Sequence, residues 1–262
     1  YDRQCRDLPR QVVHPERQHS RTTMGFDERG ADPIGEVLYG GRLELMAIPF
    51  VLASASPARR RLLQLAGIDP FICQSDFDED SIPLTTPAQL VETLAARKLE
   101  VSLDKLWQNR GSAPGGFFTS SPGVMLGCDS VLAIHGEIYG KPKDPAHAIA
   151  RLKTMRGHVG EIYTGHAVCD GYTVNGKLSP KKRRVTHQVT RVFFSDVTDV
   201  EIEAYVATGE PLTCAGCFSM EGKGSVFVEK IEGCHTNVIG LSMPLLRKMV
   251  RDIGYEIMDF WR

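Results

Sequence analysis

From Val124 to Ile134 the chain is almost wholly apolar, and the run closes on His135-Gly136, a turn leading into Glu137-Ile138-Tyr139. An apolar run bounded by turn residues reads as a strand, here the first arm of a hairpin. One residue in it is out of place: Asp129 lies between Val124-Met125-Leu126-Gly127-Cys128 and Ser130-Val131-Leu132. A carboxylate taken out of water must be paired, metal-bound or poised for chemistry, because an unpaired buried charge is costly. The alternative is that strand alternation turns Asp129 to solvent at a sheet edge.

Around this strand the chain alternates strands and helices. Phe50-Val51-Leu52-Ala53 is a short apolar run, followed by Ser54-Ala55-Ser56-Pro57 and a helix over Ala58–Ala66. Ser56 suits the N-cap, Pro57 the first turn and Gly67 the C-terminal cap. Thr86-Pro87-Ala88-Gln89 has capping-box spacing and opens a helix to about Leu103. Asp144-Pro145 opens another to Met155, Thr198 with Glu201 a fourth, and the last runs from Met243 to Ile253. Further strands are expected at Pro70–Gln74, Ile162–Cys169, Val185–Phe194 and Ser225–Ile231. Helices mixed with strands and hairpins indicate an α/β domain, a mixed twisted sheet flanked by helices.

That domain is expected over 46–262, with inserted loops near 108–123 and 173–187. The second loop carries Lys181-Lys182-Arg183-Arg184, read as a solvated hairpin tip or as a nuclear-localisation patch. Residues 1–45 alternate arginines with acids and keep no period. They fit neither a transit peptide nor a secretory signal, and are expected to be a disordered extension or an upstream region wrongly included. With 31 Lys+Arg against 32 Asp+Glu, nothing in the overall charge calls for a nucleic-acid or anionic-membrane partner. No apolar run reaches the ~18 residues of a membrane span. The seven scattered cysteines read as those of a reduced, cytoplasmic protein.

Several side chains besides Asp129 carry chemistry. In Ser54-Ala55-Ser56-Pro57-Ala58-Arg59-Arg60-Arg61 a helix N-terminus meets two hydroxyls and three cations. Cations oppose the dipole there, and a bound phosphate would explain them; a capped surface helix with solvated arginines is the plainer reading. Asp76-Phe77-Asp78-Glu79-Asp80 is either a solvated acidic loop or a set of hard oxygen ligands for Mg²⁺. Lys98 shares the apolar face of its helix with Val91 and Leu94, so it snorkels or reaches a pocket rim. Lys141 lies between Gly140 and Pro142 as an ordinary loop lysine would. Cys214-Ala215-Gly216-Cys217 has metal or redox spacing without a second pair, which weakens that reading.

Taken in order, these stretches resemble the Maf family of nucleotide pyrophosphatases, relatives of the inosine triphosphatase fold. The resemblance rests on Leu52–Arg60, Asp78-Glu79, Gly127-Cys128-Asp129-Ser130-Val131 and Gly140-Lys141-Pro142. Tyr163-Thr164-Gly165, Ala204-Tyr205-Val206, Gly209-Glu210-Pro211, Ala215-Gly216, Glu221-Gly222 and Asn237-Val238-Ile239-Gly240-Leu241 continue it, to about residue 253. It implies hydrolysis of a nucleoside triphosphate between the α and β phosphates, removal of modified or surplus nucleotides, a divalent cation (Mg²⁺, Mn²⁺ or Co²⁺) and often a homodimer. Carried over by position, Ser54, Ser56, Arg59 and Arg60 would bind the substrate, with Lys98 and Lys141 on its phosphates. Glu79 and Asp129 would hold the metal and orient or deprotonate the attacking water.

The resemblance divides over the base. The thymidine/uridine triphosphate branch resembles S-P-R-R at the first loop and carries Gln before the later glycine. The 7-methylguanosine triphosphate branch has Trp and Glu at those places. Ala58 fits neither, whereas Glu221 and Cys214-Ala215-Gly216 are similar to the methylguanosine branch. A glutamate accepts from a guanine N1–H and amino group, so Glu221 is the candidate base-reading residue. Two competing readings are a nucleotide-binding regulator of cell division with weak or no turnover, and an inosine triphosphatase-type enzyme. The latter's T-x-N-x-x-K opening does not match Ser54–Arg60.

Overall fold

The computed structural model describes residues 47–79, 82–83, 85–108, 123–174 and 177–262; the expected extension at 1–45 and the body of the insertion at 108–123 lie outside them. The described residues form a mixed sheet of eight strands with helices on both faces. β1 (Phe50–Leu52) pairs in parallel with β2 (Phe71–Ile72) on one side and β3 (Gly123–Ile134) on the other. The chain reaches β2 through α1 (Pro57–Leu65) and returns to β3 through α2 (Pro87–Gln108). Connections that leave one strand in opposite directions open a crevice at its carboxyl end, the usual ligand position of an α/β sheet. Beyond β3 the pairing is antiparallel, through β5 (Val159–Val174), β7 (Arg183–Phe194) and β8 (Val228–Glu232). β4 (Glu137–Tyr139) folds back on β3, and β6 (Lys177–Ser179) on β5.

β3 is apolar almost throughout because both its faces are covered. On one side Phe50, Leu52, Val124, Leu126 and Cys128 pack against α1 and α6 (Met243–Asp252). The stripe of α6 is Leu246, Met249, Val250 and Ile253, one helical face. On the other side Val51, Met125, Ala167 and Cys169 meet Ala95 and Leu99 of α2. α2 lies close enough that a Cβ on Gly127 would stand 2.4 Å from the Ala95 carbonyl oxygen, and one on Gly165 2.0 Å from that of Val91. These two glycines let a helix backbone rest on the sheet. The distal part of the sheet is covered by α3 (Pro145–Met155) and α4 (Asp199–Ala207), around Leu132, Ile162, Val192 and Phe194.

The expected caps are present. Ser56, Asp144 and Thr198 accept from backbone amides in the first turns of α1, α3 and α4, and Glu201 closes a capping box with Thr198. α2 runs past Leu103 to Gln108. One expectation needs correction. Residues 223–227 form a 3₁₀ turn and the strand starts only at Val228. The Lys223 and Gly224 amides are taken by Glu210, and the Ser225 amide by the Gly222 carbonyl, so no ladder forms there. The described residues of the expected insertion at 173–187 belong to β5, β6 and β7 and the turns between them, and Asp170, accepting both the Lys181 and Lys182 amides, closes β5 onto β7. Its basic run is partly tied down: Lys182 donates to the Ile253 carbonyl and Arg183 pairs with Glu100 at 2.8 Å. A short helix, α5 (His235–Ile239), also escaped the sequence pattern. Among the described residues no helix is long and apolar enough to cross a membrane.

Candidate active site

The switch point of the sheet lies where β1 ends and α1 begins. Ser56 accepts from the Arg59 amide, and Ser54 accepts from the Ser56 amide at 3.2 Å, so the two hydroxyls fix the loop shape before any ligand arrives. Arg59 turns inward. Its Nε donates to the Gly240 carbonyl at 2.7 Å, Nη1 to Ser54 Oγ and the Cys128 carbonyl, and Nη2 to Ser130 Oγ at 2.9 Å. A guanidinium has five N–H donors, so four of them are engaged within the fold. This internal network accounts for a cation in the first turn of α1. Arg60 and Arg61 remain exposed.

Asp129 lies mid-strand in β3, opposite Gly165, and is only 6% exposed. The solvent-edge alternative is therefore set aside. From α2, Lys98 projects off the face that also buries Val91 and Leu94, and its Nζ stands 2.5 Å from Asp129 and 2.6 Å from Glu79. Glu79 itself is half-exposed, on the loop that follows β2. Burial pushes the Asp129 carboxyl above its ordinary range, and a further push from Glu79 adds to this, against the lowering pull of Lys98 and Arg59. Such a group is a stronger base than a solvated carboxylate.

Three sequence candidates, Glu79, Lys98 and Asp129, thus meet at one point, with Ser54 and Arg59 gathered next to them across the Cys128 carbonyl. Arg60, Lys141 and Glu221 are exposed and make no hydrogen bond to that group. Lys141 sits on the loop after β4. Glu221 sits on a turn whose shape is held by Glu210, which accepts from Tyr205, Lys223 and Gly224. Burial raises the Glu210 carboxyl, but those donors outweigh it and leave its pKa below the usual range. Sequence reasoning gave no role to Glu210, nor to Ser130, Thr164 and Asn237, which form a buried polar net under Arg59. The signal was available: polar residues at Ser130 and Thr164 on otherwise buried strands need partners.

The oxygens of Glu79 and Asp129 converge on one ammonium, that of Lys98. No group of three or more His, Cys, Asp or Glu among the described residues could hold a metal by itself. Cys214 is half-buried, Cys217 is buried, and both are free thiols.

Fold and site define an α/β protein with a lysine-bridged carboxylate pair at the switch point of a mixed sheet. The family model described as Maf-like protein matches residues 49–253, and the chain belongs to that family. A protein of Gloeothece citriformis, "Nucleoside triphosphate pyrophosphatase", is 51% identical over 217 residues, covering 83% of this chain and 100% of its own. One of Nostoc punctiforme with the same name is 53% identical over 214 residues, covering 82% and 98%. Among solved structures, "The structure of the Staphylococcus aureus Ham1 protein" aligns with a TM-score of 0.39 and 15% identity, over 78% of this chain and 98% of that one.

Proposed function

We propose that this protein is a hydrolase, a nucleoside triphosphate pyrophosphatase: water attacks the α-phosphorus, the α–β anhydride bond breaks, and a monophosphate and pyrophosphate leave. The observation that carries the reading is the buried Asp129 held 2.5 Å from Lys98, with Glu79 on the same ammonium. The name shared by relatives at 51% and 53% identity supports it. Asp129, raised by burial, takes the proton of the attacking water; Lys98 keeps that carboxylate oriented and offers its ammonium to a phosphate oxygen. The charges at the site sum to zero, Lys98 and Arg59 against Glu79 and Asp129. A bound triphosphate therefore calls for further positive charge, which Lys141 and Arg60 supply from the exposed rim.

Glu79 and Asp129 would hold the Mg²⁺, Mn²⁺ or Co²⁺ ion. When bound, such an ion supplies charge neutralisation for the phosphates and lowers the pKa of a bound water. For the base, Glu221 favours a guanine-type nucleotide such as 7-methylguanosine triphosphate over dTTP, UTP or CTP.

Pyrophosphate release from common and methylated nucleoside triphosphates, with Mg²⁺ or Mn²⁺, tests the reading. The expected result is release that Asp129→Asn abolishes while the fold is kept. Tight nucleotide binding with no release from any substrate would reject hydrolysis and favour the regulator reading.

A further inference from the structure

Among the described residues no side chain bonds the exposed Lys141 ammonium, and what holds this stretch is the backbone before it. The carbonyl of Gly140 accepts two hydrogen bonds, one from Arg151 Nη1 at 3.0 Å and one from the Gly216 amide at 3.3 Å. Arg151 belongs to α3, and its guanidinium also lies over the Tyr139 ring, 4.5 Å from the centroid. It therefore grips the two residues that precede Lys141, one by its carbonyl and one by its ring. The second donor depends on backbone shape. Gly216 has φ +71°, and a Cβ there would press to 2.8 Å from Leu132 Cβ. The Cys214–Cys217 turn thus has a structural use for its central glycine that needs no thiol chemistry. The Nε of Arg151 is buried without a hydrogen-bond partner among the described residues, and the guanidinium also acts on the buried Cys217 thiol, whose pKa is pushed up by burial against the weaker downward pull of Arg151.

We propose that Arg151 is the positioning residue for Lys141, clamping the Gly140 carbonyl so that the lysine ammonium faces the phosphates of a nucleoside triphosphate. The proposal rests on the reading of Lys141 as a phosphate-binding group. Without Arg151, Gly140 keeps one donor, the Tyr139 ring loses its cover, and the lysine samples directions that miss the substrate. A shift of about 1 Å in a positioned group can lower turnover by up to about a hundredfold.

The test is a double-mutant cycle on the full chain, read as kcat/KM for pyrophosphate release from the best nucleoside triphosphate with Mg²⁺. Arg151→Ala and Lys141→Ala should each lower it by about tenfold or more. The double variant should fall within about twofold of Lys141→Ala alone, because a residue acting through another adds nothing once that one is gone. Arg151→Lys, which keeps a charge and one donor, should recover part of the loss. If Arg151→Ala does not fold, as judged by its melting curve, Tyr139→Leu takes its place in the same cycle. Losses that multiply in the double variant would overturn the proposal. So would full activity of Arg151→Ala beside an impaired Lys141→Ala. A fully active Lys141→Ala would overturn it together with the reading beneath it.

Discussion

Lys98 Nζ lies 2.5 Å from a carboxylate oxygen of Asp129, and both side chains are about nine-tenths buried. The pair ties the middle of α2 to the middle of β3, and the close seat of that helix over Gly127 and Gly165 makes the distance possible. A buried pair of this kind stabilises little against a hydrophobic replacement, but losing one partner alone is costly.

Lys98→Met should therefore destabilise the protein by roughly 3 kcal/mol at neutral pH, because it strands a buried carboxylate. The penalty should depend on pH in a stated direction. The Asp129 pKa is already raised in the fold, and losing Lys98 raises it further. The folded state then holds a proton that the unfolded chain has released, so stability falls as pH rises through that interval. Urea midpoints for wild type and variant should differ less at pH 5 than at pH 8. An equal gap at both would show that Asp129 does not bear the penalty.

His166 gives a pH dependence of opposite sign. It is fully buried, its Nδ1 bonded to the Thr164 carbonyl and its Nε2 accepting from the Ser242 amide at the start of α6. That pattern requires the neutral ring, and burial, helped by the nearby Arg59 charge, holds its pKa down to about 3. The unfolded chain takes up a proton near pH 6.5 that the folded protein refuses. Stability is complete above that value and drops as pH falls toward 3, by up to ~1.4 kcal/mol per unit from this one group. Unfolding free energies from pH 3 to 8 should show a shallower slope for His166→Gln than for wild type; parallel curves would rule the histidine out.

How far the sequence announces this site depends on distance along the chain. The caps at Ser56, Asp144 and Thr198 are local and readable, as are an acid inside an apolar strand at Asp129 and a lysine on an apolar helix face at Lys98. The convergence of Glu79, Lys98 and Asp129 is not local, since it follows from the parallel pairing of β1 with β3 and from the seat of α2 on two glycines. Arg59 shows the same limit from the other side. Its spacing is that of a phosphate loop, while most of its donors go to Gly240, Cys128, Ser54 and Ser130, partners that only the closed fold brings near. Ser225–Phe227 has a strand's composition, but Glu210 takes the amides just before it and the strand begins later.

Gly165→Ala should separate the seat of α2 from the chemistry it supports. The added methyl would meet the Val91 carbonyl oxygen at 2.0 Å, a backbone atom that cannot swing away, so α2 must lift. Overpacking of this kind costs about 1–3 kcal/mol. Because Lys98 rides on the same helix, turnover should fall by about tenfold or more in the fraction that remains folded. Melting temperature and pyrophosphate release, measured on one sample, check both. A lowered melting temperature with unchanged turnover would mean that α2 adjusts without moving Lys98.

Base selection can be probed away from the reacting groups. Glu210 accepts from the Tyr205 hydroxyl at 2.9 Å and from the Lys223 and Gly224 amides at 3.0 Å, and the Tyr205 oxygen accepts from the Ser219 amide at 3.1 Å. These bonds bracket Glu221, whose own side chain is exposed. Glu210→Ala should cost about 1–2 kcal/mol through the released donors. It should also raise KM for the preferred nucleotide more than it lowers kcat, since the bonds of Glu210 stay within the turn and do not reach Asp129. Glu221→Gln should shift preference away from guanine-type bases with no change in melting temperature, because that exposed side chain bonds to none of the described residues. Steady-state kinetics over a panel of triphosphates distinguishes the two variants. If Glu210→Ala lowers the melting temperature but leaves every KM unchanged, the turn serves stability and the base is read elsewhere.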